Sequence, residues 1–216
     1  MAIAFMFACV ARGQTTNFTY SSGTLNASVP DGNTTGITEG TTVSGVYGYI
    51  SDIQVNLDIT GGFNGDLYAY LAGPAGQFAV LLNRSGVTSG NAFGYGDAGF
   101  NITLNETGVN IHNYESTVNP GGAQLTGTWG ADGRNIDPQS AAGAFDTAPI
   151  TAGLNTYNGT LPNGSWTLFI SDLSSGGQST LVSWGLTVVT VPEPQTWAMI
   201  ASGAGMLLVF RRRGIR

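Results

Sequence analysis

The sequence contains no lysine, a single cysteine and a single histidine, and charged residues make up only 9% of its 216 residues. Cys9 lies in an apolar N-terminal run, so the remainder of the chain can form no internal disulfide and lacks the thiolates of common zinc and redox sites. A Ser-His-Asp triad would have to use His112, and no nucleophile motif lies near it. The sequence therefore predicts a protein that is not an enzyme.

Cationic residues are scarce outside the C-terminal end. Four of the seven arginines fall in the last six residues, and between Gln14 and Val191 only Arg84 and Arg134 oppose twelve acidic residues, which leaves a net charge of −10. Nucleic acids and anionic membrane surfaces require basic faces, so this charge excludes both as partners of the segment. Glycine, threonine, serine and asparagine supply its polarity instead, as is common in secreted β-proteins.

Alternation of apolar and polar residues with a period of two is the strongest structural signal. Strands are predicted around residues 53–59, 67–71, 78–82, 166–170 and 182–188, separated by turns rich in glycine, serine and asparagine. Trp166 and Trp184 fall on the apolar sides and are predicted to lie in the core, and the last strand is predicted to bury Val182, Leu186 and Val188 as well. The pattern predicts an all-β fold closed as a jelly-roll-like β-sandwich.

The segment 105–163 has scattered glycines and no strong alternation, so it predicts long loops with a few short strands. Trp129 lies within it, and Tyr95, Tyr114 and Tyr157 are associated with the same irregular region. Two interpretations of these aromatic residues are open. Exposed rings would stack on sugars, whereas buried rings would anchor the loops.

The N-terminal residues 2–11 form a ten-residue apolar run, which has the length of a signal-peptide core and is too short to span a membrane. Small residues at Ala11 and Gly13 predict cleavage just before Gln14. Because no basic residues precede the run, we expect residues 1–13 to be a truncated signal peptide.

The C-terminal residues 191–216 combine a Pro-Glu-Pro turn, an uncharged apolar run predicted as a short hydrophobic helix, and an arginine cluster. The residues that define the turn and the cluster are Pro192, Glu193, Pro194, Arg211, Arg212 and Arg213. This arrangement resembles the PEP-CTERM sorting signal of diderm bacteria. The apolar run is shorter than the roughly 20 residues that cross a bilayer, and the arginines would keep its end on the cytoplasmic side.

The resemblance of the tail implies recognition and cleavage by an exosortase-type enzyme. The chain would first be an exported precursor anchored in the inner membrane, and would then reach the outer surface or the extracellular matrix. The alternative is an ordinary C-terminal membrane anchor that stays uncleaved.

Five short motifs follow one another along the middle of the chain. They are Val29-Pro30-Asp31-Gly32, Gly65-Asp66-Leu67, Gly73-Pro74-Ala75-Gly76, Asn163-Gly164-Ser165-Trp166-Thr167-Leu168-Phe169-Ile170-Ser171-Asp172 and Ser183-Trp184-Gly185-Leu186. Together they resemble the P domain (Homo B domain) that follows the catalytic domain of subtilisin-like proprotein convertases. The resemblance covers residues 28–190, after an N-terminal segment 14–27, and implies a galactose-binding-like jelly roll with a subtilisin-like protease as a candidate partner.

Three aspartates are candidate calcium ligands. Asp66 begins one predicted strand, Asp172 ends another, and Asp58 lies on the strand before Asp66. Carboxylates at one end of a sandwich could share a Ca²⁺ ion, which takes oxygen ligands. The alternative is that aspartates at strand ends accept hydrogen bonds from turn amides.

These observations predict a non-catalytic, exported protein of the bacterial envelope or exopolysaccharide matrix that acts as a structural or adhesive binding module. Two alternatives are open. One is a stand-alone P domain that assists a subtilisin-like serine endopeptidase, and the other is a carbohydrate-binding module.

Overall fold

The computed structural model describes residues 15–191 and 203–205. This part of the chain forms ten β-strands: β1 (Thr16–Ser21), β2 (Ala27–Val29), β3 (Asn33–Val43), β4 (Tyr49–Gly61), β5 (Leu67–Ala72), β6 (Phe78–Asn83), β7 (Gly99–Asn110), β8 (Leu125–Gly130), β9 (Gly164–Asp172) and β10 (Ser179–Val191). Short 3-10 helices lie between them at Asn64–Asp66, Ile111–Ser116, Ala142–Thr147 and Leu154–Tyr157.

The strands form two sheets. The six-stranded sheet has the order β1-β10-β4-β7-β8, with β2 also paired to β10, and the four-stranded sheet has the order β3-β9-β5-β6. All neighbours are antiparallel except β7 and β8, which run parallel. Both β1 and β2 pair with β10, so residues 16–21 and 27–29 belong to the six-stranded sheet.

The core lies between the two sheets, where the predicted alternation places the apolar side chains. The inward residues of three strands are Ile53, Val55, Leu57 and Ile59 on β4, Leu67, Ala69 and Leu71 on β5, and Trp166, Leu168 and Ile170 on β9. Trp166 and Trp184 are both buried, as predicted. The all-β sandwich expected from the period of two is therefore confirmed.

Strand β10 departs from the predicted alternation near its start. Leu181 is buried, whereas Val182 is only half-buried. The pairing with β4 shifts by one residue between Leu181 and Ser183, because a β-bulge adds one residue to β10 there. From Trp184 onward the predicted face is correct, since Leu186 and Val188 are buried.

The irregular segment 105–163 contains β8 and three of the 3-10 helices, and it covers the edge of the four-stranded sheet. The amide of Val80 on β6 donates to the carbonyl of Ala152 at 2.8 Å, and the amide of Asp132 donates to the carbonyl of Leu81 at 3.0 Å. An uncovered edge strand invites pairing with other chains, so these contacts protect β6.

The predicted signal peptide, residues 1–13, lies outside the described residues. So do Pro192, Glu193 and Pro194, the arginine cluster 211–213 and most of the predicted C-terminal helix, of which residues 203–205 are helical. Within 15–191 and 203–205, no helix has the length and apolar character needed to cross a bilayer.

Candidate functional site

Asp66 is positioned by a tight 3-10 turn between β4 and β5. The side chain of Asn64 fixes this turn, because its Nδ2 donates to the carbonyl of Gly99 at 3.2 Å and its Oδ1 accepts from the amide of Gly99 at 2.9 Å. The amide of Gly65 donates to the carbonyl of Tyr95 at 2.8 Å. A Cβ at Gly65 would lie 2.1 Å from the carbonyl oxygen of Phe93, so only glycine allows the two backbones to approach this closely.

The structure brings Asp66 and Asp172 together, as the sequence predicted. Strands β5 and β9 are neighbours, and Leu67 lies opposite Asp172. The Oδ2 atom of Asp172 accepts a hydrogen bond from the Ser179 hydroxyl at 3.0 Å, whereas its buried Oδ1 has no partner among the described residues. Two adjacent carboxyl groups are the minimum that the predicted shared cation site requires.

Burial raises the pKa of both carboxyl groups. For Asp172 burial outweighs the hydrogen bond from Ser179, and with the nearby negative charges of Asp66 and Asp31 it raises the pKa from 3.8 to about 6. The pKa of Asp66 is also raised by burial, although the Ser174 hydroxyl and the positive charge of Arg84 oppose the shift. A bound cation would stabilise the ionised forms of both groups.

Asp58 lies elsewhere. It is half-buried on the outer side of β4, in the other sheet, and its Oδ1 accepts a hydrogen bond from Nε2 of Gln124 at 2.9 Å. Among residues 15–191 and 203–205, no three side chains of aspartate, glutamate, histidine or cysteine come together as a group that could hold a metal ion. A calcium site at Asp66 and Asp172 would therefore need backbone or hydroxyl oxygens, and it stays a prediction.

A cavity of about 390 Å³ opens beside Asp66. Its lining includes Phe63, Asp66, Phe93, Tyr95, Ser174 and Ser175, and we call it the Asp66 cavity. Phe93 is 83% exposed and Phe63 is 42% exposed, while the side chain of Tyr95 is held 4.5 Å from the buried ring of Tyr114. Aromatic walls beside a carboxylate are typical of a ligand pocket.

A second candidate site covers the outer face of the four-stranded sheet. Because alternate side chains point to opposite faces, the inward Leu67, Ala69 and Leu71 leave Tyr68 and Tyr70 facing outward. The aromatic surface is defined here as Tyr68, Tyr70, Phe78 and Phe169.

The rings of the aromatic surface pack against one another in one stacked pair and in tilted or edge-to-face pairs. Tyr70 and Phe169 are cross-strand partners whose rings stack 4.9 Å apart at an angle of 19°. Tyr68 lies 6.3 Å from Phe169, and Phe78 lies 6.4 Å from Tyr70. A shallow cavity of about 210 Å³ lies beside the rings of Tyr68, Tyr70 and Phe169, and Asp137 and Gln139 also line it. The sequence showed that Tyr68 and Tyr70 share one side of a strand, but the strand order that adds Phe169 is visible only in the structure.

The aromatic residues considered for sugar binding in the irregular region do not form an exposed surface. Trp129, Tyr114 and Tyr157 are buried, with exposures of 5%, 0% and 0%, and Tyr95 is half-buried against Tyr114. Indole Nε1 of Trp129 donates to the carbonyl of Thr126 at 2.9 Å. Of the two interpretations that the sequence left open for these rings, burial favours the second, in which they anchor the loops to the core.

His112 belongs to a buried polar network and has both ring nitrogens engaged. Its Nδ1 lies 2.8 Å from Oδ2 of Asp132, and its Nε2 lies 3.0 Å from the carbonyl oxygen of Val87. The other oxygen of Asp132 accepts from Nη1 of Arg134 at 3.1 Å, and the imidazole stacks on Phe145. This geometry holds the irregular segment together and leaves His112 no nitrogen for proton transfer to a substrate.

Comparison with known proteins gives a similarity at the level of structure only. No family model matches the sequence, and no curated protein matches it. The crystal structure of the Aeromonas sobria serine protease in complex with its chaperone has a TM-score of 0.47 and 14% identity, over 83% of this chain and 28% of that chain. The crystal structure of the Aeromonas sobria serine protease has a TM-score of 0.45 and 14% identity, over 82% of this chain and 27% of that chain. This chain thus spans less than a third of the length of these neighbours.

Proposed function

We propose that this protein is a non-catalytic, exported binding module that attaches to a neutral polysaccharide of the bacterial surface or extracellular matrix. The observation that supports this proposal is the aromatic surface. Three of its rings, Tyr68, Tyr70 and Phe169, pack together on the outward face of one sheet, Tyr70 stacked on Phe169 and Tyr68 edge-on to it. A cluster of rings held by a sheet binds a ligand with little loss of conformational freedom.

The chemistry of the aromatic surface suits a sugar chain. The C–H groups on one side of a pyranose ring are apolar and slightly positive, and they pack on the negative face of an aromatic ring. Asp137 and Gln139 at the rim can accept hydrogen bonds from sugar hydroxyls, and Gln139 can also donate. The charge of −10 over residues 14–191 disfavours an anionic polymer, so we infer a neutral one.

Binding to the purified exopolysaccharide of the host, measured by co-sedimentation of the full-length chain, tests this proposal. Tyr70→Ala removes the ring that stacks on Phe169, and we expect it to weaken binding by about tenfold or more. Tyr47→Ala is the matched control, because Tyr47 is 85% exposed and lies outside the aromatic surface. Equal binding of the two variants would contradict the proposal.

The proposed location rests on the tail. The Pro-Glu-Pro turn, the apolar run and the arginine cluster resemble a sorting signal, so we expect an exosortase-type enzyme to cleave near Pro192, Glu193 and Pro194. Mass spectrometry of the mature chain in its host measures the outcome. A C-terminus close to Pro194 supports processing, whereas an intact Arg216 would show a plain anchor.

A second candidate function is assistance to a subtilisin-like protease. Two of the motifs that resemble a P domain lie next to each other and favour this function. Strand β5 follows Gly65-Asp66, strand β9 carries Trp166, and the two strands pair directly in the four-stranded sheet. Co-purification from the host tests this function. A stable complex with a serine protease supports it, and the absence of such a complex with full polysaccharide retention supports the first proposal.

A further inference from the structure

The Asp66 cavity joins two aromatic rings that are unusually exposed. Phe93 and Phe63 line it with exposures of 83% and 42%, at the end of the sandwich where the 93–96 loop meets the Asn64–Asp66 turn. Exposed apolar side chains that converge on one cavity mark an interaction site, whereas scattered ones need no explanation. The volume of about 390 Å³ lies at the lower end of the range for small-ligand pockets.

The cavity is preorganised by backbone contacts. The amide of Asn64 donates to the carbonyl of Asp97 at 3.0 Å, and the amide of Tyr95 donates to the carbonyl of Ser85 at 2.9 Å. The close approach of Gly65 to Phe93 locks the 93–96 loop against the turn. The backbone of the loop and of the turn is therefore held in place before a ligand arrives, which lowers the entropic cost of binding.

Negative charge is concentrated beside these walls. Asp66 lines the cavity although it is only 8% exposed, and Asp172 lies next to it with a buried Oδ1 that has no partner among the described residues. Asp31 adds a third carboxylate that acts on both, while Arg84 supplies one opposing charge near Asp66. The balance is negative, and the surrounding domain is acidic as well, so a cation is attracted and an anion is repelled.

The composition of the lining decides which kind of cation fits. A calcium ion takes six to eight oxygen ligands, whereas the side chains that line the cavity supply one carboxylate, two serine hydroxyls and the rings of Phe63, Phe93 and Tyr95. An organic cation uses both features, since its charge faces the carboxylate and its C–H and N–H groups pack on ring faces. We propose that the Asp66 cavity binds an alkylammonium or guanidinium group carried on an aliphatic chain.

This site is independent of the proposed polysaccharide surface. The cavity lies at the loop end of the sandwich, whereas the aromatic surface lies on the outer face of the four-stranded sheet, and the two share no lining residue. A test can therefore reject polysaccharide binding by the aromatic surface without rejecting cation binding by the Asp66 cavity, and the reverse.

Titration of the full-length chain with cadaverine and with agmatine, followed by calorimetry, tests the inference. We expect saturable binding of both amines, and we expect the uncharged analogue 1,5-pentanediol to bind at least about tenfold more weakly. Asp66→Asn and Phe93→Ala should each weaken amine binding by about tenfold, because one removes the charge and the other a wall. Tyr47→Ala should bind like the native chain.

Three results would overturn the inference. The first is equal binding of the diol and the diamine, the second is unchanged amine binding by Asp66→Asn, and the third is saturable binding of Ca²⁺ without binding of either amine. Circular dichroism of each variant confirms that the sandwich is folded, so a loss of binding is not a loss of structure. Tighter binding of N-acetyl-lysine amide than of cadaverine would support a basic peptide as the source of the cation, and the reverse order would support a free diamine.

Discussion

At the residue scale, Asp172 carries the clearest pH dependence. Burial raises its pKa from 3.8 to about 6, so the folded state holds the proton more tightly than the unfolded chain does. The stabilising contribution is complete below about pH 4 and is lost as the pH rises through 6. We expect Asp172→Asn to raise the free energy of unfolding at pH 7 by about 1–2 kcal/mol and to have little effect at pH 4, measured by urea unfolding in a chelator.

Adding calcium distinguishes two roles of the Asp172 carboxyl group, as a calcium ligand or as a buried group without a bound ion. An ion held by Asp66 and Asp172 would favour their ionised forms, so millimolar Ca²⁺ should raise the melting temperature of the native chain at pH 7 and leave Asp172→Asn unchanged. An equal melting temperature of the native chain in chelator and in Ca²⁺ would remove the calcium prediction. A less stable Asp172→Asn in chelator at pH 7 would contradict the effect assigned to burial.

Among the polar side chains of the core, we expect the loss of Asp132 to lower the free energy of unfolding the most. It is fully buried and receives hydrogen bonds from Arg134, while its other oxygen lies against His112. Asp132→Ala leaves both partners buried without their carboxylate, so we expect a loss of about 3–5 kcal/mol in the free energy of unfolding. Asp146→Ala removes an exposed carboxylate and serves as the control. A similar loss of unfolding free energy in this variant would show that the buried network does not explain the effect of Asp132→Ala.

At the element scale, the turn before β5 depends on a glycine that has no room for a side chain. A Cβ at Gly65 would meet the carbonyl oxygen of Phe93 at 2.1 Å and the Cα of Gly94 at 2.8 Å. We expect Gly65→Ala to push the 93–96 loop away from the turn and to lower the free energy of unfolding by about 1–3 kcal/mol. Gly96→Ala is the matched control in the same loop, because its Cβ would meet no atom within 4 Å. Equal urea midpoints for the two variants would contradict the assigned packing.

The sequence predicts those elements whose side chains alternate clearly. The alternation predicts β4, β5 and β9 with the correct faces, because each buries one side against the core. It does not reveal the one-residue shift in β10, since a bulge depends on the partner strand. It does not reveal β3 either, because the glycines and threonines of that edge strand alternate weakly.

The sequence likewise predicts some features of the candidate sites and not others. Asp66 and Asp172 were candidates for one end of the sandwich because each lies at the end of a predicted strand, but their proximity also depends on the pairing of β5 with β9. The contact between Tyr70 and Phe169 required the order of β5 and β9, which no local pattern encodes. The link between His112 and Asp132 joins two parts of the irregular segment, where periodicity gives no information on folding.

At the scale of the whole molecule, the sandwich carries two unlike candidate sites. The aromatic surface borders a shallow cavity of about 210 Å³ on the outer face of a sheet, whereas the Asp66 cavity of about 390 Å³ lies at a loop end beside acidic side chains. A row of rings on a sheet face suits a polymer, and a cavity between loops suits a small group. Their separation would allow one chain to hold a polysaccharide while it binds a cationic group.

We infer that the aromatic surface retains the protein in the polysaccharide matrix. The most direct measurement is the fraction of the full-length chain found in the extracellular matrix of its host, for the native chain, Tyr70→Ala and Tyr47→Ala. We predict that the native chain and Tyr47→Ala remain in the matrix while Tyr70→Ala is released into the medium. Equal retention of all three would contradict the claim.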